Sequence, residues 1–356
     1  MLGTRITAEK PCLPPYPENL GPELRTLLRN VSRSFYLTLR VLPSQIRSQI
    51  GLAYLLARAA DTIADTKLLP REERLEALLA FRRQLNLASS PGEIDRNLLP
   101  HQNIPAEKQL LEKLPACFAL LASMPSDDQG LIADVVQTLT RGMEFDLTRF
   151  PGDSAEHLAA LDSDEELDEY VYFVAGCVGP FWTKMCMGHL PQTASWNQEE
   201  MCALGIRFGK GLQLCNVLRD LPKDLRNGRC YLPSTSLETV GLRPLDLLDA
   251  SAYARLQPVY QRYLDLALSH LDAAWNYTLR VPASIPRLRL ACAWPVLIGL
   301  KTLAKLRNNA DVLRADRAIK ITRREVYEIM VWTYLDKGSD ARLNRRYQQF
   351  VKQAGG

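Results

Sequence analysis

The chain has 356 residues and a formal net charge of +4 at pH 7, from 44 Lys and Arg against 40 Asp and Glu. A chain of this length can bury a sizeable core, and its nearly balanced charge argues against a nucleic-acid-binding protein and against an acidic, solvated chain. The eight cysteines form no Cys-x-x-Cys pair, the first thirty residues lack the apolar segment of a signal peptide, and no charge-free apolar run is long enough to span a bilayer. These features predict a soluble, cytoplasmic protein with reduced thiols that contacts a membrane peripherally at most.

The chain reads as a succession of helices. Residues 1–20 contain four prolines and predict an irregular lead-in, whereas residues 21–350 predict one domain without an internal repeat or a long linker. Alternating strand patterns and hairpin signals are scarce, which predicts an all-α fold. The predicted helices cover residues 21–40, 43–66, 71–87, 106–123, 127–149, 164–189, 197–226, 252–280, 286–307 and 323–350.

The second predicted helix carries the first candidate site. From Gly51 to Asp65 its only charged residues are Arg58, Asp61 and Asp65, and residues three or four apart share a helical face. Two carboxylates stacked on an apolar helix repel each other, and their burial without a partner costs far more. A divalent cation is the simplest partner for them, although a solvated face or a salt bridge would explain a lone Asp-x-x-x-Asp pair. Arg33, in the preceding helix, would lie near the same site unless it is an ordinary surface arginine.

The helix predicted over residues 164–189 contains a segment of aromatic and small residues that begins at Tyr170. Close packing against neighbouring helices is the ordinary explanation for such a composition. Gly176 and Gly179 would equally let a ligand come close, and an electron-rich tyrosine ring can face a carbocation. The residue spacing does not decide between these alternatives.

A second run of oxygen donors lies in the next predicted helix. Asn216, Asp220 and Asp224 are spaced by four residues, which places three oxygen donors on one helical face. Arg219 lies beside them, and Pro222 can kink or end the helix before the last donor. Mg²⁺ prefers carboxylates, waters and phosphate oxygens, so two facing carboxylate sets with arginines indicate a diphosphate substrate held by Mg²⁺.

A basic cluster follows the apolar helix predicted over residues 286–307. Residues 307–324 contain six Lys and Arg against two Asp. Such a cluster is ordinarily a solvated surface, but it would also suit a second phosphorylated ligand or anionic lipid.

Several functional classes lack their motifs in this sequence. There is no Gly-x-Gly-x-x-Gly in a strand-to-helix setting and no phosphate-loop lysine motif, so a dinucleotide would bind without a Rossmann domain. None of the four histidines falls in a zinc-type pair, and no Gly-x-Ser-x-Gly elbow is present.

Three motifs together resemble the squalene and phytoene synthase family. They are Asp-Thr-Ile-Ala-Asp at 61–65, the aromatic segment 170–179, and Asn-Val-Leu-Arg-Asp-Leu-Pro-Lys-Asp at 216–224 with Tyr-Leu-Pro following at 231–233. Their order and spacing match the family, and the resemblance extends from about residue 32 to about residue 320. It implies an all-α, single-domain isoprenoid-synthase bundle around a central cavity, Mg²⁺ bound by both aspartate motifs, and head-to-head joining of two prenyl diphosphates through a cyclopropyl intermediate.

Within the family, the end of the chain resembles squalene synthases more than phytoene synthases, over residues 290–295, 306–309 and 319–321. This implies farnesyl diphosphate as substrate, presqualene diphosphate as intermediate, NADPH as reductant and squalene as product. Ala291 stands where eukaryotic squalene synthases carry an aromatic residue and Thr322 where they carry a basic one, and both departures concern the reductive step. The alternatives are a phytoene or dehydrosqualene synthase that needs no reductant, and a non-catalytic helical protein that binds prenyl lipid. No motif specifies an oligomeric state.

The resemblance also implies roles for individual residues. Four aspartates are implied to bind Mg²⁺ and diphosphate, namely Asp61, Asp65, Asp220 and Asp224, with Asn216 as a further ligand. Contacts with diphosphate or with the phosphate of NADPH are implied for Ser32, Arg33, Arg58, Asn216, Arg219 and Lys320. Tyr170 is implied to handle a proton or to face a cation. Because water captures an allyl cation, such an enzyme needs metal and arginines at one end and a dry, uncharged pocket at the other, and the apolar faces of the two aspartate helices and of residues 170–182 are expected to form it.

Overall fold

The computed structural model describes residues 20–32, 35–66, 68–86, 96–307, 309–317 and 319–355. Helices dominate these residues, which confirms the predicted all-α fold. In chain order the α-helices of the described residues are α1 Pro22–Val31, α2 Phe35–Val41, α3 Ser44–Ala64, α4 Arg71–Asn86, α5 Pro105–Glu112, α6 Leu114–Ala122, α7 Ser126–Arg149, α8 Asp164–Val171, α9 Val178–His189, α10 Gln198–Arg226, α11 Ser234–Glu238, α12 Tyr253–Arg280, α13 Pro286–Arg307, α14 Arg323–Asp336 and α15 Asp340–Gly355. The predicted lead-in lies outside the described residues except for its last position, and the division of the chain into a lead-in and one domain stays a prediction.

Besides the helix predicted over residues 164–189, which is described below, three predicted helices are each divided in the structure, so that α1 is separate from α2, α5 from α6 and α14 from α15. Pro115 explains the second division, because it has no N–H to continue the hydrogen bonds of α5 and is tolerated only in the first turn of a helix, where it lies in α6. Gly338 lies in the third division, and glycine is about 1 kcal/mol less favourable than alanine inside a helix. The first division includes residues 33–34, which lie outside the described residues.

A pair of two-residue strands connects two distant segments. β1 (Ala159–Ala160) pairs in parallel with β2 (Arg229–Cys230), and Ala159 lies opposite Arg229. The pairing joins the segment before α8 to the segment after α10. It therefore fixes Arg229, and also Tyr231 directly after β2, close to the end of α10.

Pro222 does not end α10, which continues to Arg226. The three oxygen donors that were predicted to share one face therefore keep their helical spacing. A proline leaves the carbonyl group four residues earlier without its helical N–H donor. Here the buried Tyr260 hydroxyl on α12 donates to the Leu218 carbonyl at 3.0 Å and replaces the missing bond.

α10 is the longest helix of the described residues and packs against α9, α12 and α13. Its contact with α9 depends on glycines in both helices, since a Cβ on Gly179 would lie 2.0 Å from the carbonyl carbon of Gly205. A Cβ on Gly209 would lie 2.2 Å from the Ala175 carbonyl oxygen. At Gly179 the element that comes close is thus a neighbouring helix, which was one of the two alternatives for this glycine.

The segment between α8 and α9 is a π-helical turn, Tyr172–Gly176. The N–H of Cys177 donates to the carbonyl of Tyr172 at 2.9 Å, five residues earlier. Such turns insert one residue into a helix and often occur at functional sites. The predicted single helix over residues 164–189 is therefore two α-helices joined by this turn.

The cysteines and the apolar helices were the basis of two predictions made from composition. Seven of the eight cysteines are described, and all seven are free thiols. Among the described residues, no helix combines the length and the apolar character needed to cross a membrane.

Candidate active site

The first aspartate motif lies at the C-terminal end of α3. Asp61 is partly buried and forms an ion pair with Arg58, which also binds Glu107 on α5. Burial, and next the charge of Asp65, raise the pKa of Asp61 to about 6. Asp65 is exposed and caps the helix, because its N–H donates to the Asp61 carbonyl at 2.9 Å. The motif is thus a pair of mutually repelling carboxylates with one adjacent arginine.

The second aspartate motif lies in the last turns of α10. Arg219 donates two hydrogen bonds to the Asp220 carboxylate, at 2.9 and 2.5 Å. One turn later, burial and next the charge of Asp220 raise the pKa of Asp224 to about 7. Lys223 and Arg229 oppose this rise. The second motif therefore repeats the charge pattern of the first.

A third carboxylate, Asp146 on α7, lies between the two motifs. The Tyr231 hydroxyl donates to it at 3.1 Å, and a guanidinium nitrogen of Arg229 lies 3.4 Å from it. Burial raises the pKa of Asp146 to about 7 against the charge of Arg229. The charge of Asp65 adds to this rise, and Asp146 in turn adds to the raised pKa of Asp224. Asp146 therefore lies within electrostatic range of one carboxylate from each motif and connects the two motifs.

Arg229 is the main counter-charge of this group. Besides Asp146 it approaches Asp153 at 3.6 Å, and its pKa is raised by the charges of Asp146 and Asp65 despite its burial. One arginine thus faces carboxylates that belong to different helices. The structure brings the two predicted aspartate motifs to one place.

The side-chain oxygens of this site suit a Mg²⁺ ion that also binds phosphate oxygens. In the described part of the chain, no three acidic, His or Cys side chains lie close enough together to form a metal site by themselves. Mg²⁺ commonly keeps several waters and takes one or two carboxylates plus phosphate oxygens, and all the donors here are oxygens. Burial, together with the charges of neighbouring carboxylates, raises the pKa of Asp61, Asp146 and Asp224, so a cation bound there would stabilise their ionised forms.

A cavity of about 490 Å³ lies between α3, α7, α9, α10 and α13. None of the described side chains that line it is charged, and its aromatic lining residues are Tyr54, Phe181, Trp182, Phe208 and Tyr277. The lining includes the elements that were expected to form an apolar wall, namely the two aspartate helices and the segment that leads into α9.

Asn216 connects the cavity to the carboxylates. It lines the cavity, and it lies one helical turn before Asp220 on α10. The NH₂ group of its side chain donates to the Gln213 side chain at 3.3 Å. This hydrogen bond does not use the amide oxygen of Asn216. The apolar cavity and the charged site are therefore adjacent.

Tyr170 is not among the described residues that line the cavity. Its ring stacks on that of Tyr231 with centroids 4.7 Å apart, and its hydroxyl lies 3.5 Å from Asp146. Burial raises the pKa of Tyr170 well above its ordinary value. The tyrosine hydroxyl is therefore fixed among the carboxylates, next to a group that can accept a proton.

The remaining residues with implied phosphate contacts make local contacts or are not described. Arg33 lies outside the described residues. The Ser32 hydroxyl is buried and donates to the Leu28 carbonyl at 2.5 Å. Lys320 is exposed after α13, and its carbonyl accepts a hydrogen bond from Lys305 at 3.2 Å. The implied roles of these residues stay predictions.

Three residues at the centre of the site were not predicted. Asp146 is a single carboxylate in an amphipathic helix, and no spacing distinguishes it from solvated acids of the same helix. Arg229 and Tyr231 lie in the loop after α10, and Tyr231 belongs to the Tyr-Leu-Pro motif that helped to indicate the family. That motif was the available signal for a functional role of the loop.

Two sets of carboxylates that both interact with Asp146, beside an apolar cavity in an all-α fold, are the features of an isoprenoid-synthase type of protein. The chain belongs to the squalene/phytoene synthase family, whose family model matches residues 28–325. The enzymes of this family are of the prenyltransferase type.

The chain is similar to curated proteins of more than one activity. The Botryococcus squalene synthase of Botryococcus braunii is 28% identical over 320 residues, which cover 88% of this chain and 63% of that protein. A bifunctional lycopene cyclase/phytoene synthase of Phaeosphaeria nodorum is 28% identical over 316 residues, which cover 87% of this chain and 50% of that protein. The chain thus spans less than two thirds of the length of either relative.

Among solved structures, TcSQS in complex with a ligand has the same fold. It superposes with a TM-score of 0.73 at 21% identity, and the alignment covers 94% of this chain and 97% of that chain. At this identity the likeness concerns the fold alone.

Proposed function

We propose that this chain is a squalene synthase, which condenses two farnesyl diphosphate molecules head to head and reduces the presqualene diphosphate intermediate with NADPH. The observation that carries the proposal is that Asp146 interacts with a carboxylate from each aspartate motif, beside an uncharged cavity. A departing diphosphate needs the first feature, and the allyl cation that it leaves needs the second. The similarity to the Botryococcus enzyme supports the choice of substrate and product.

The carboxylates and arginines bind the diphosphate in this proposal. The proposed Mg²⁺ ligands are Asp61, Asp65, Asp220, Asp224 and Asn216. When bound, Mg²⁺ neutralises charge that develops on the leaving diphosphate. Arg58 and Arg219 lie beside these ligands and are the proposed phosphate contacts, because a guanidinium group can donate two parallel hydrogen bonds to a phosphate.

The cavity holds the prenyl chains and excludes water from the cation. Its uncharged lining offers no nucleophile of the carboxylate type, and its aromatic rings can stabilise positive charge. The proposed proton acceptor is the pair of Tyr170 and Asp146. Their 3.5 Å contact and the raised pKa of Asp146, about 7, support transfer of a proton near neutral pH.

NADPH supplies the hydride of the second step. Lys320 is the proposed contact of the NADPH phosphate, and the exposure of the Lys320 side chain supports this role. The two departures from eukaryotic squalene synthases have physical explanations. Ala291 lines the cavity, where its small side chain leaves space. Thr322 caps α14, since its hydroxyl accepts a hydrogen bond from the Glu325 N–H at 3.2 Å.

Incubation of the purified protein with farnesyl diphosphate and Mg²⁺, with and without NADPH, tests the proposal. Squalene formed only in the presence of NADPH is the expected result. Asp220→Ala should abolish the product, because the Mg²⁺–diphosphate site loses a ligand. Absence of any thirty-carbon product under both conditions would refute the proposal.

A second candidate function is a phytoene or dehydrosqualene synthase, which needs no reductant. The similarity to the bifunctional lycopene cyclase/phytoene synthase of Phaeosphaeria nodorum favours it. A hydrocarbon formed without NADPH from farnesyl or geranylgeranyl diphosphate would select this candidate, whereas presqualene diphosphate alone would not. The length of the product hydrocarbon would then distinguish a phytoene synthase from a dehydrosqualene synthase.

A further inference from the structure

The outward face of α14 carries a group of exposed apolar side chains that have no role in the site described above. This group, the α14 stripe, consists of Tyr327, Val331, Trp332, Tyr334 and Leu335, which are between 49% and 59% exposed. Four of them recur at spacings of three and four residues, so they share one side of the helix. The buried residues of α14 lie on its opposite side. The helix therefore presents an apolar face to its surroundings in addition to the face that packs on the protein.

Such a concentration of exposed apolar side chains does not recur in the described residues. Nine large apolar side chains are exposed there, and five of the nine belong to α14. The other four are separated along the chain, and they are Leu68, Ile104, Leu245 and Leu266. Single exposed apolar residues are ordinary, whereas a contiguous group marks an interaction surface. The α14 stripe therefore has the character of an interaction surface.

The charges around the α14 stripe are predominantly positive. Arg323 lies one turn before Tyr327 on the same side of the helix, and at the other end the Lys337 ammonium lies 3.6 Å from the centre of the Tyr334 ring.

The acidic residues of α14 are already engaged by cations of the protein. The Lys305 ammonium binds Glu325 at 2.8 Å, and the Arg324 guanidinium binds Glu328 at 2.9 Å. Arg346 binds Asp336 at the end of the helix. The partner of the α14 stripe therefore meets a surface of uncompensated positive charge around apolar and aromatic side chains.

We propose that the α14 stripe is a docking surface for an anionic lipid bilayer. Tyrosine and tryptophan favour the boundary between headgroups and acyl chains, and an amphipathic helix with flanking basic residues binds in that plane. Exposed cations attract anionic headgroups from a distance of about a Debye length. A second copy of this chain would instead bring the same positive charges together. The inference concerns residues apart from the catalytic site and does not depend on the proposed function.

Flotation with lipid vesicles tests this proposal. The full chain should bind vesicles of phosphatidylcholine mixed with phosphatidylglycerol and should bind pure phosphatidylcholine vesicles less, with the difference decreasing as salt is added. The variant Tyr327→Ser/Val331→Ser/Leu335→Ser should lower the partition coefficient by about tenfold or more, because it removes the apolar contribution of the stripe. The matched variant Leu68→Ser/Leu245→Ser/Leu266→Ser replaces exposed side chains elsewhere and should bind like the parent.

Tryptophan fluorescence gives a second readout on the same surface. Brominated lipids should quench part of the emission of the parent chain, and this part should be missing in Trp332→Phe. A stripe variant that floats like the parent would overturn the proposal. It would equally be overturned if the parent were a dimer without lipid and the stripe variant a monomer, because the α14 stripe would then be an interface between copies of the chain.

Discussion

The folded protein destabilises the ionised form of the Asp224 carboxyl group. Burial and the charge of Asp220 raise its pKa to about 7. For an acid, a raised pKa in the folded state means that the ionised form costs free energy there, so stability decreases as the pH rises from the unfolded-state pKa of about 4 toward the folded-state value. Carboxylates held at such a cost are typical of functional positions.

Asp224→Asn is therefore expected to affect stability and activity in opposite directions. The neutral amide removes the repulsion and the cost of burying a charge, so the free energy of unfolding should increase by about 1 kcal/mol, after allowance for partial exposure of the side chain. Product formation should be lost, because the site loses a proposed Mg²⁺ ligand. Denaturant unfolding in a buffer with a chelator, together with the product assay, measures both effects.

Asp246→Asn is the control for this substitution. The Arg243 N–H donates to Asp246 at 2.8 Å, and this hydrogen bond holds the pKa of Asp246 below its usual range. The same chemical change should therefore reduce stability there, without an effect on product formation. A loss of stability in Asp224→Asn as well would identify Asp224 as a structural carboxylate and would contradict its proposed role.

The two aspartate motifs could be found from the sequence because each repeats within one helix. Spacing by four residues is a local signal, and α3 and α10 form where helical sequence predicts them. Asp146 and Arg229 have no such signal, since they meet only when α7 packs beside α3 and the β1–β2 pairing fixes the loop after α10. An ion pair between segments that are distant in sequence depends on the tertiary fold, so local sequence patterns do not predict it.

At the scale of elements, the contact between α9 and α10 determines how the cavity is bounded. Both helices line it, and at their crossing the backbones of Gly179 and Gly205 leave no room for a side chain. A Cβ on Gly179 would overlap backbone atoms, which cannot rotate away as a flexible side chain can. The two helices would have to move apart.

Gly179→Ala should for this reason destabilise the protein, by about 1–3 kcal/mol or more as is usual for overpacking. Gly188→Ala is a matched control in the same helix, since a Cβ there meets nothing within 4 Å. That control should raise stability by about 0.5–1 kcal/mol, because alanine is the better helix former. Thermal or denaturant unfolding of both variants provides the comparison, and an equal effect of the two substitutions would show that the close crossing is wrong.

The positions of the helices were predictable, but their interruptions were less so. Helical sequence extends through residues 164–189, and nothing in its composition indicates the π-helical turn at Tyr172–Gly176. The continuation of α10 through Pro222 was also undetermined, because it depends on a hydroxyl that Tyr260 supplies from α12. Both features depend on hydrogen bonds whose partners the local sequence does not specify.

On the scale of the whole molecule, charge and apolar character are separated. Carboxylates and arginines from α3, α7, α10 and the loop after α10 form one end of the site, and the uncharged cavity adjoins it at Asn216. An enzyme that releases diphosphate and protects a carbocation requires this separation. The central claim is that α3 and α10 bind the same diphosphate through metal.

A double-mutant cycle on ligand binding tests this claim most directly. The affinity for a non-reactive thio analogue of farnesyl diphosphate would be measured by calorimetry, with and without Mg²⁺, in the parent, Asp65→Asn, Asp224→Asn and the double variant. We predict that each single substitution weakens Mg²⁺-dependent binding by about tenfold or more and that the double variant loses less than the sum of the two free energies, with a coupling of about 1–3 kcal/mol. Strictly additive losses, or binding that is indifferent to Mg²⁺, would contradict the account.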